Sequence, residues 1–536
     1  MSSASLDFRD RSKLFAALDG QRFDLLVIGG GVTGAGVARD AAMRGISVAL
    51  VEARDFASGT SSRSSKMIHG GLRYLPQGDI ALVREAASER KAVEAIAPHL
   101  ARQTPFVMPA RTQAAIAKLQ AGLWTFEKLG GVPKDRRHQV WSPAEVAERE
   151  PAIDRSDLAG AVVYPEYLTE DARLTLANVR SAQAAGAVVA NYARVAEIIL
   201  EGGQAVGARV VEAPEIGQRQ AAVFAKVVVN AAGPWVDALR VLEAGAGPSR
   251  LRLTKGIHLV VDRASLPVNR TVIMTAADRR SVFAVPKGEF TYIGTTDTFY
   301  EGADYWPRIE PADADYLLAA CSARFSTPTL TARDVVSAWA GVRPLVAEEG
   351  KAASDISRKD EIWTGPGGVL SIAGGKLTAY RKMAERIIDL AEAALGRKHA
   401  KSTTAAEALV GGDVDVAATE ASLQSSGLSA VAARRLVALY GSEAAAIARA
   451  GGDPAAEARQ AVLHEGALTL EDWWVRRSGR AWFDHKGGVD ALAPAAAEMA
   501  GLLGWSAAET AAQVDACRKI HQDTLASLTA PATMEA

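Results

Sequence analysis

Six residues, Gly29-Gly30-Gly31-Val32-Thr33-Gly34, set the tightest limit on how this chain can fold. They follow the apolar run Phe23-Asp24-Leu25-Leu26-Val27-Ile28, which reads as a buried strand ended by glycines. Ala35 to Arg44 reads as a helix, and Gly45 stops it at the C′ position. Ser47 to Val51 is a second buried strand that closes with Glu52, so the segment is a βαβ unit. Gly29, Gly31 and Gly34 therefore form G-x-G-x-x-G between a strand and a helix, with an acidic residue at the end of the next strand. The first glycine permits the tight turn, the second lets backbone approach a pyrophosphate, and the third lets helix and strand pack closely. The free N–H groups of the helix start then face the anion. Glu52 is placed to accept from the adenosine ribose hydroxyls. The unit predicts a dinucleotide cofactor.

At 536 residues the chain is long enough for two to four structural units and a large core. Lys+Arg is 61 and Asp+Glu is 62, so no general electrostatic grip on nucleic acid is expected. The two cysteines, Cys321 and Cys517, make neither CxxC nor a zinc spacing, so no metal site or disulfide framework is expected. No run of 18 apolar residues predicts a membrane span. Met1 to Gly20 lacks the apolar core of a secretory signal.

From Pro76 to Pro165 the pattern reads as mostly helical, and Thr169 to Ala185 as a further helix. Strands are expected at 187–190, 193–200, 206–211 and 225–230. Between Leu253 and Gly341 short antiparallel strands dominate, at 257–261, 282–285, 290–295 and 335–341, with one helix at about 311–323. A strand at 368–373 leads into a helix at 378–395. Beyond Lys401 alanine-rich helical segments predict a separate C-terminal domain.

Two further strand-to-helix turns join the first: Asn230-Ala231-Ala232-Gly233-Pro234-Trp235, and Ala373-Gly374-Gly375-Lys376-Leu377-Thr378. Three such turns converge at the carboxyl ends of parallel strands, where ligands sit in open α/β sheets. The segment 59–74, GTSSRSSKMIHGGLRY, is dense in hydroxyls, cations and glycines, yet carries Met67, Ile68 and Leu72 that want cover.

On these residues the chain resembles the FAD-dependent glycerol-3-phosphate dehydrogenases, the quinone-linked respiratory enzymes of the aerobic type. The matching stretches are 24–45, TSSRSSKMIHGGLRYL (60–75), VVNAAGPWVD (228–237), LTKGIHLVV (253–261), IGTTDT (293–298), AGVRPL (340–345), IAGGKLTAYRKMAE (372–385) and the helical segment 462–484. The resemblance implies an α/β fold. Its discontinuous Rossmann-like FAD domain would be of the glutathione-reductase type, similar to D-amino-acid oxidase, over 20–75, 160–250 and 345–398. An inserted antiparallel-sheet substrate domain would hold 76–159 and 251–344, and an all-helical domain 399–536. It implies oxidation of sn-glycerol 3-phosphate to dihydroxyacetone phosphate by hydride transfer to FAD, with electrons passed to membrane quinone.

Carried over residue by residue, the resemblance gives a cofactor set of Gly29, Gly31, Gly34, Glu52, Thr60, Ser61, Ser62, His69, Val195, Ala232, Gly233, Gly375, Lys376, Leu377 and Thr378. The substrate set is Arg73, Tyr74, Arg343, Arg358 and Lys376. Arginine forks suit a phosphate-bearing substrate. Lys376 and the following helix start would stabilise the negative charge of reduced flavin. The candidate catalytic residues are His69, Arg73, His258, Arg343 and Lys376. A secondary alcohol must also lose its hydroxyl proton, and His69 and His258 are the two histidines inside matching motifs. The sequence does not rank them.

A quinone acceptor lives in the bilayer, so the resemblance implies a cytoplasmic protein lying on the inner face of the cytoplasmic membrane. Residues 116–137 interleave Leu119, Leu123, Trp124, Phe126 and Leu129 with Lys118, Lys128, Lys134, Arg136 and Arg137, which suits an anionic interface or, equally, packing on the core. A homodimer is a further expectation. Competing readings are a glycerol-3-phosphate oxidase using oxygen, which shares most of the site, and a related FAD-dependent amine or amino-acid oxidase. A non-catalytic FAD-binding scaffold would need none of the cations. An NAD-linked dehydrogenase leaves GGKLT and HGGLRY without a role. Asp472, Arg476 and Arg477 read as a salt-bridged helix face.

Overall fold

The computed structural model describes residues 5–70, 80–347 and 360–529. Arg73, Tyr74 and Arg358 lie outside the described residues.

Strand Arg22–Ile28 lies inside an eight-stranded sheet, parallel to Gln220–Asn230 on one side and Val48–Val51 on the other. Leu370–Gly374 continues the sheet in parallel beyond Gln220–Asn230, and Val188–Ala190 beyond Val48–Val51. Both faces of the first strand are covered, which is why its apolar run does not alternate: Leu25, Leu26 and Val27 are all fully buried. Helix Val32–Met43 packs on it through Ala35, Ala38 and Ala41, together with helices Asp171–Ala184 and Tyr380–Ala394.

A second sheet of ten strands is antiparallel except where Thr271–Thr275 runs parallel to Ala101–Ala110. Its longest ladder pairs Leu251–Asp262 with Val335–Val346. Two expectations change here. Within 80–165 helices Ile80–Ile96, Gln113–Gly130 and Pro143–Arg149 form as expected, but strands the sequence did not announce interleave with them: Ala101–Ala110, Gln139–Trp141 and the start of Gly160–Thr169. Pro105 and Pro109 are foreign to a helix interior, and Phe106 and Val107 are fully buried. Residues 160–169, grouped by sequence with the cofactor segments, pair over their whole length with Ala101–Ala110 in this second sheet. The chain returns to the first sheet only with helix Asp171–Ala184.

The C-terminal helices share a core with the second sheet, where Trp473, Trp474 and Trp482 pack with Tyr292 and Trp339. Asp472, Arg476 and Arg477 are salt-bridged as expected, Arg476 to Asp472 directly, but the group is buried. They lie in a π-helical turn, Asp472–Arg477, and are 0–1% exposed. Arg476 Nε reaches Asp55 at 2.5 Å and Arg477 Nη2 at 2.8 Å, while Arg476 Nη2 holds Asp472 at 2.6 Å. Burial opposes ionisation of Asp55, but the two guanidinium groups more than offset it and hold its pKa below the usual carboxylate range. Glu465 forks onto Arg173 in the same way, at 2.6 and 2.7 Å. Breaking such a buried pair costs about 3–5 kcal/mol, because a charge is left without compensation. Asp55 follows Glu52 by three residues, so the C-terminal helices clamp the loop that leaves the dinucleotide unit.

The amphipathic stretch 116–137 also divides. Ile116, Leu123 and Phe126 are buried on the core, while Trp124 is 55% exposed with Lys128 at 5.0 Å over its ring.

His99 is 2% exposed, its ring packed against the backbone at Gly411 and Gly441. Burial, then Arg173 and Arg102, pull its pKa down to about 3. The unfolded chain thus takes up a proton near the ordinary value of 6.5 that the folded chain refuses. Stability is whole above that pH and falls by about 1.4 kcal/mol per unit as the pH drops toward the folded value. His99→Gln is expected to flatten this dependence in urea unfolding compared at pH 7 and pH 5. An equal acid loss in both proteins would assign the dependence to other groups.

Candidate active site

The three strand-to-helix turns meet, as read from the sequence, at the carboxyl ends of the parallel strands. In the first, Gly29 adopts φ +112°, and a Cβ there would stand 2.6 Å from the Ala231 carbonyl oxygen of the second turn. Glu52 reaches back across the turn: its Oε2 accepts from the Gly30 N–H at 2.6 Å and its Oε1 from the Arg54 N–H at 2.9 Å. Burial raises its pKa, and these two N–H groups work against that rise. The Val32 N–H at the helix start donates to Ser61 Oγ at 2.9 Å. In the second turn Asn230 Nδ2 donates to the Val236 carbonyl at 3.0 Å, which holds Ala232 and Gly233 open. The third turn is tied to the HGG segment by the Thr378 hydroxyl, which donates to the His69 carbonyl at 3.2 Å.

These turns line a single cavity of 730 Å³. Among the expected cofactor residues, Gly29, Gly31, Glu52, Thr60, Ser61, His69, Val195, Ala232, Gly233, Gly375, Lys376, Leu377 and Thr378 line it. Gly34 and Ser62 do not. Gly34 lies beneath the turn, where a Cβ would meet the Gly29 carbonyl oxygen at 1.9 Å. Ser62 is fully buried. The cavity's size, the open glycine turn and the carboxylate at its wall fit a dinucleotide.

The same cavity is lined by Arg343 and His258 from the second sheet. Arg343 faces Thr254 across the ladder, and its guanidinium crosses diagonally over Gly256, where a Cβ would stand 2.0 Å from Nη2. Its Nη1 donates to Asp297 Oδ1 at 3.1 Å and its Nη2 to Thr295 Oγ1 at 3.0 Å and the Thr296 carbonyl at 3.2 Å. Arg280 supports this corner by donating to the Asp297 carbonyl at 2.9 Å.

His258 faces Trp339 on one side of its strand and Gly294 on the other. The indole stacks on the imidazole at 4.7 Å and 11°, and the missing Cβ of Gly294 leaves room for the other edge of the ring. Burial pushes the imidazole pKa well below its ordinary value, with Arg343 and then Lys66 adding to the shift. Burial and the two neighbouring cations thus favour the neutral ring. His69 stands half-buried with its ring 6.0 Å from Phe283. The sequence reading assigned no role to Ser65, Arg280, Thr295 or Asp297. Thr295 and Asp297 lie inside IGTTDT and Ser65 inside TSSRSSKMIHGGLRYL, so a signal was present; Arg280 is found only through the fold.

Comparisons with known proteins agree with this geometry. The sequence profile of FAD dependent oxidoreductases matches residues 24–381, and that of the C-terminal domain of alpha-glycerophosphate oxidase matches residues 402–510. The aerobic glycerol-3-phosphate dehydrogenase of Bacillus subtilis (strain 168) is 40% identical over 503 residues, covering 89% of this chain and 90% of that protein. That of Staphylococcus aureus (strain USA300) is 37% identical over 558 aligned positions, covering 97% and 98%. The structure of the glycerol-3-phosphate dehydrogenase from Bacillus halodurans complexed with FAD superposes with a TM-score of 0.81 at 34% identity, covering 99% of this chain and 100% of that one.

Proposed function

The chain belongs to the family of FAD-dependent glycerol-3-phosphate dehydrogenases, and from that premise we propose that it hands the electrons of its substrate to membrane quinone. It oxidises glycerol 3-phosphate with FAD. Oxidation of the secondary alcohol yields dihydroxyacetone phosphate. The observation that carries the reading is the meeting, in one cavity, of the dinucleotide turn with Arg343 and His258.

When bound, FAD would supply the acceptor for a hydride from carbon 2. The chain supplies the rest. Gly29, Gly31 and the helix start hold the pyrophosphate, and Glu52 the ribose. Arg343 grips the substrate phosphate as a fork, positioned by Asp297 and Thr295. Arg73, Tyr74 and Arg358 are assigned to the substrate by motif alone. Lys376, at the start of a helix and on the cavity wall, balances negative charge near the flavin ring. His258 takes the hydroxyl proton; its place on the cavity wall with Arg343, the proposed phosphate fork, and its hydrogen bond to Ser65 favour it over His69.

No helix among the described residues is long and apolar enough to cross a membrane. Contact with the inner face of the cytoplasmic membrane would be made by the outward side of helix Gln113–Gly130, with exposed Trp124 and Lys128, and by Lys134, Arg136 and Arg137 after it. A homodimer completes the proposed arrangement. The C-terminal helices do not discriminate against an oxidase, since the profile that matches them is described for alpha-glycerophosphate oxidase. The dehydrogenase relatives at 37–40% identity favour quinone over oxygen.

Anaerobic glycerol 3-phosphate is expected to bleach the flavin absorbance of the holoenzyme, with fast re-oxidation by a soluble quinone and slow re-oxidation by oxygen. Fast oxygen turnover would move the assignment to the oxidase. Flotation with phosphatidylglycerol vesicles, lost when Trp124, Lys128 and Arg136 are replaced, tests the membrane face.

A further inference from the structure

Among the described residues the His258 ring has one hydrogen-bond partner. The side chain is 1% exposed, and Trp339 seals one face. Its Nδ1 is buried and has no hydrogen-bond partner among the described residues. Its Nε2 lies 2.9 Å from Ser65 Oγ. Ser65 is half-buried and lines the cavity. Its backbone is held on three sides. The Tyr292 hydroxyl donates to the Ser65 carbonyl at 3.1 Å, Trp339 Nε1 donates to the Ser64 carbonyl at 3.3 Å, and the Ser64 N–H donates to Asp171 at 3.0 Å. The residue that stacks on the imidazole thus also fixes the loop that carries the hydroxyl.

We propose that Ser65 is a proton relay between the substrate and His258. This rests on the reading of His258 as the base. The Ser65 hydroxyl accepts the proton of the carbon-2 hydroxyl and passes its own proton to Nε2. The substrate O–H and the Ser65 O–H bonds break, new O–H and N–H bonds form, and Ser65 ends as it began. The net transfer is one proton from the substrate oxygen to the imidazole. The hydride leaves carbon 2 with its electron pair for FAD, which the established activity supplies, and the carbon–oxygen bond becomes a carbonyl. The relay requires the resting proton on Nδ1, with Nε2 accepting from Ser65. The charged groups that face the ring are Arg343 and Lys66, the latter paired with Asp171 at 2.7 Å. Neither offers an acceptor, so the imidazole is the terminus of the proton path.

The test uses holoenzyme variants Ser65→Ala, Ser65→Thr and His258→Gln, with FAD content and stopped-flow flavin reduction by glycerol 3-phosphate. Ser65→Ala is expected to slow reduction by about 100-fold or more at unchanged FAD content, and Ser65→Thr to stay within about tenfold of wild type. A second readout is independent of turnover: ¹⁵N-histidine NMR of the resting protein should show Nε2 of His258 as the unprotonated nitrogen, with its signal displaced in Ser65→Ala. Wild-type reduction in Ser65→Ala with a slow His258→Gln would overturn the relay and leave His258 as a direct base. Wild-type rates in both variants would overturn the base reading itself. A proton resting on Nε2 would also overturn the relay.

Discussion

Replacing Gly34 by alanine is expected to leave the protein colourless, with FAD content below about a tenth of wild type. The added Cβ would sit 1.9 Å from the Gly29 carbonyl oxygen and 3.1 Å from its carbon. These are backbone atoms of the turn itself, so no flexible side chain can move aside. The helix must lift away from the strand, and the N–H groups at its start then leave the position that holds a pyrophosphate. Forcing a methyl group into a packed site costs about 1–3 kcal/mol even where side chains yield, and more is expected here. The readout is the ratio of flavin to protein absorbance, with thermal unfolding alongside. Two glycines serve as controls. At Gly36 the nearest obstacle is the Tyr380 ring at 3.1 Å, and at Gly122 nothing lies within 4 Å, so alanine at Gly122 should leave FAD content unchanged. Full FAD occupancy in Gly34→Ala would remove this turn from the cofactor site.

Arg343→Met is expected to lower kcat/KM for glycerol 3-phosphate by about a thousandfold, or roughly 4 kcal/mol, with FAD content unchanged. The guanidinium is one of those on the cavity wall; as the proposed phosphate fork, its loss would strip the phosphate of a bidentate partner and break its ion pair with Asp297. Arg343→Lys should recover only part of the loss, because a lysine presents a point charge where Thr295, the Thr296 carbonyl and Asp297 are set for a planar group. The effect should fall mainly on KM, and inhibition by inorganic phosphate should weaken in parallel. An unchanged KM would place the phosphate elsewhere in the cavity.

What could be read from the residues alone was local. Phe23 to Glu52 announces strand, turn, helix and strand within 30 residues, and each signal acts on its neighbours along the chain. The same holds for the turns after Asn230 and Ala373. Strand Ala101–Ala110 escaped because its two prolines and mixed polarity break the alternation that marks a strand, and it is held by non-local pairing, a ten-residue ladder with Gly160–Thr169 and a short one with Thr271–Thr275. Residues 116–137 were ambiguous for a related reason. An apolar stripe states that a face is covered, not what covers it.

The sequence by itself determined the dinucleotide unit and, through motif resemblance, the family, the cofactor and the chemistry. Tertiary structure alone decided that Arg343 crosses Gly256, that His258 lies between Trp339 and Gly294 with Ser65 at its Nε2, and that Arg476 and Arg477 clamp Asp55. The reason is register. A side chain's partner across an antiparallel ladder, or across more than 400 residues of chain, is chosen by the sum of many weak contacts over the whole fold, and no short stretch of sequence contains that sum.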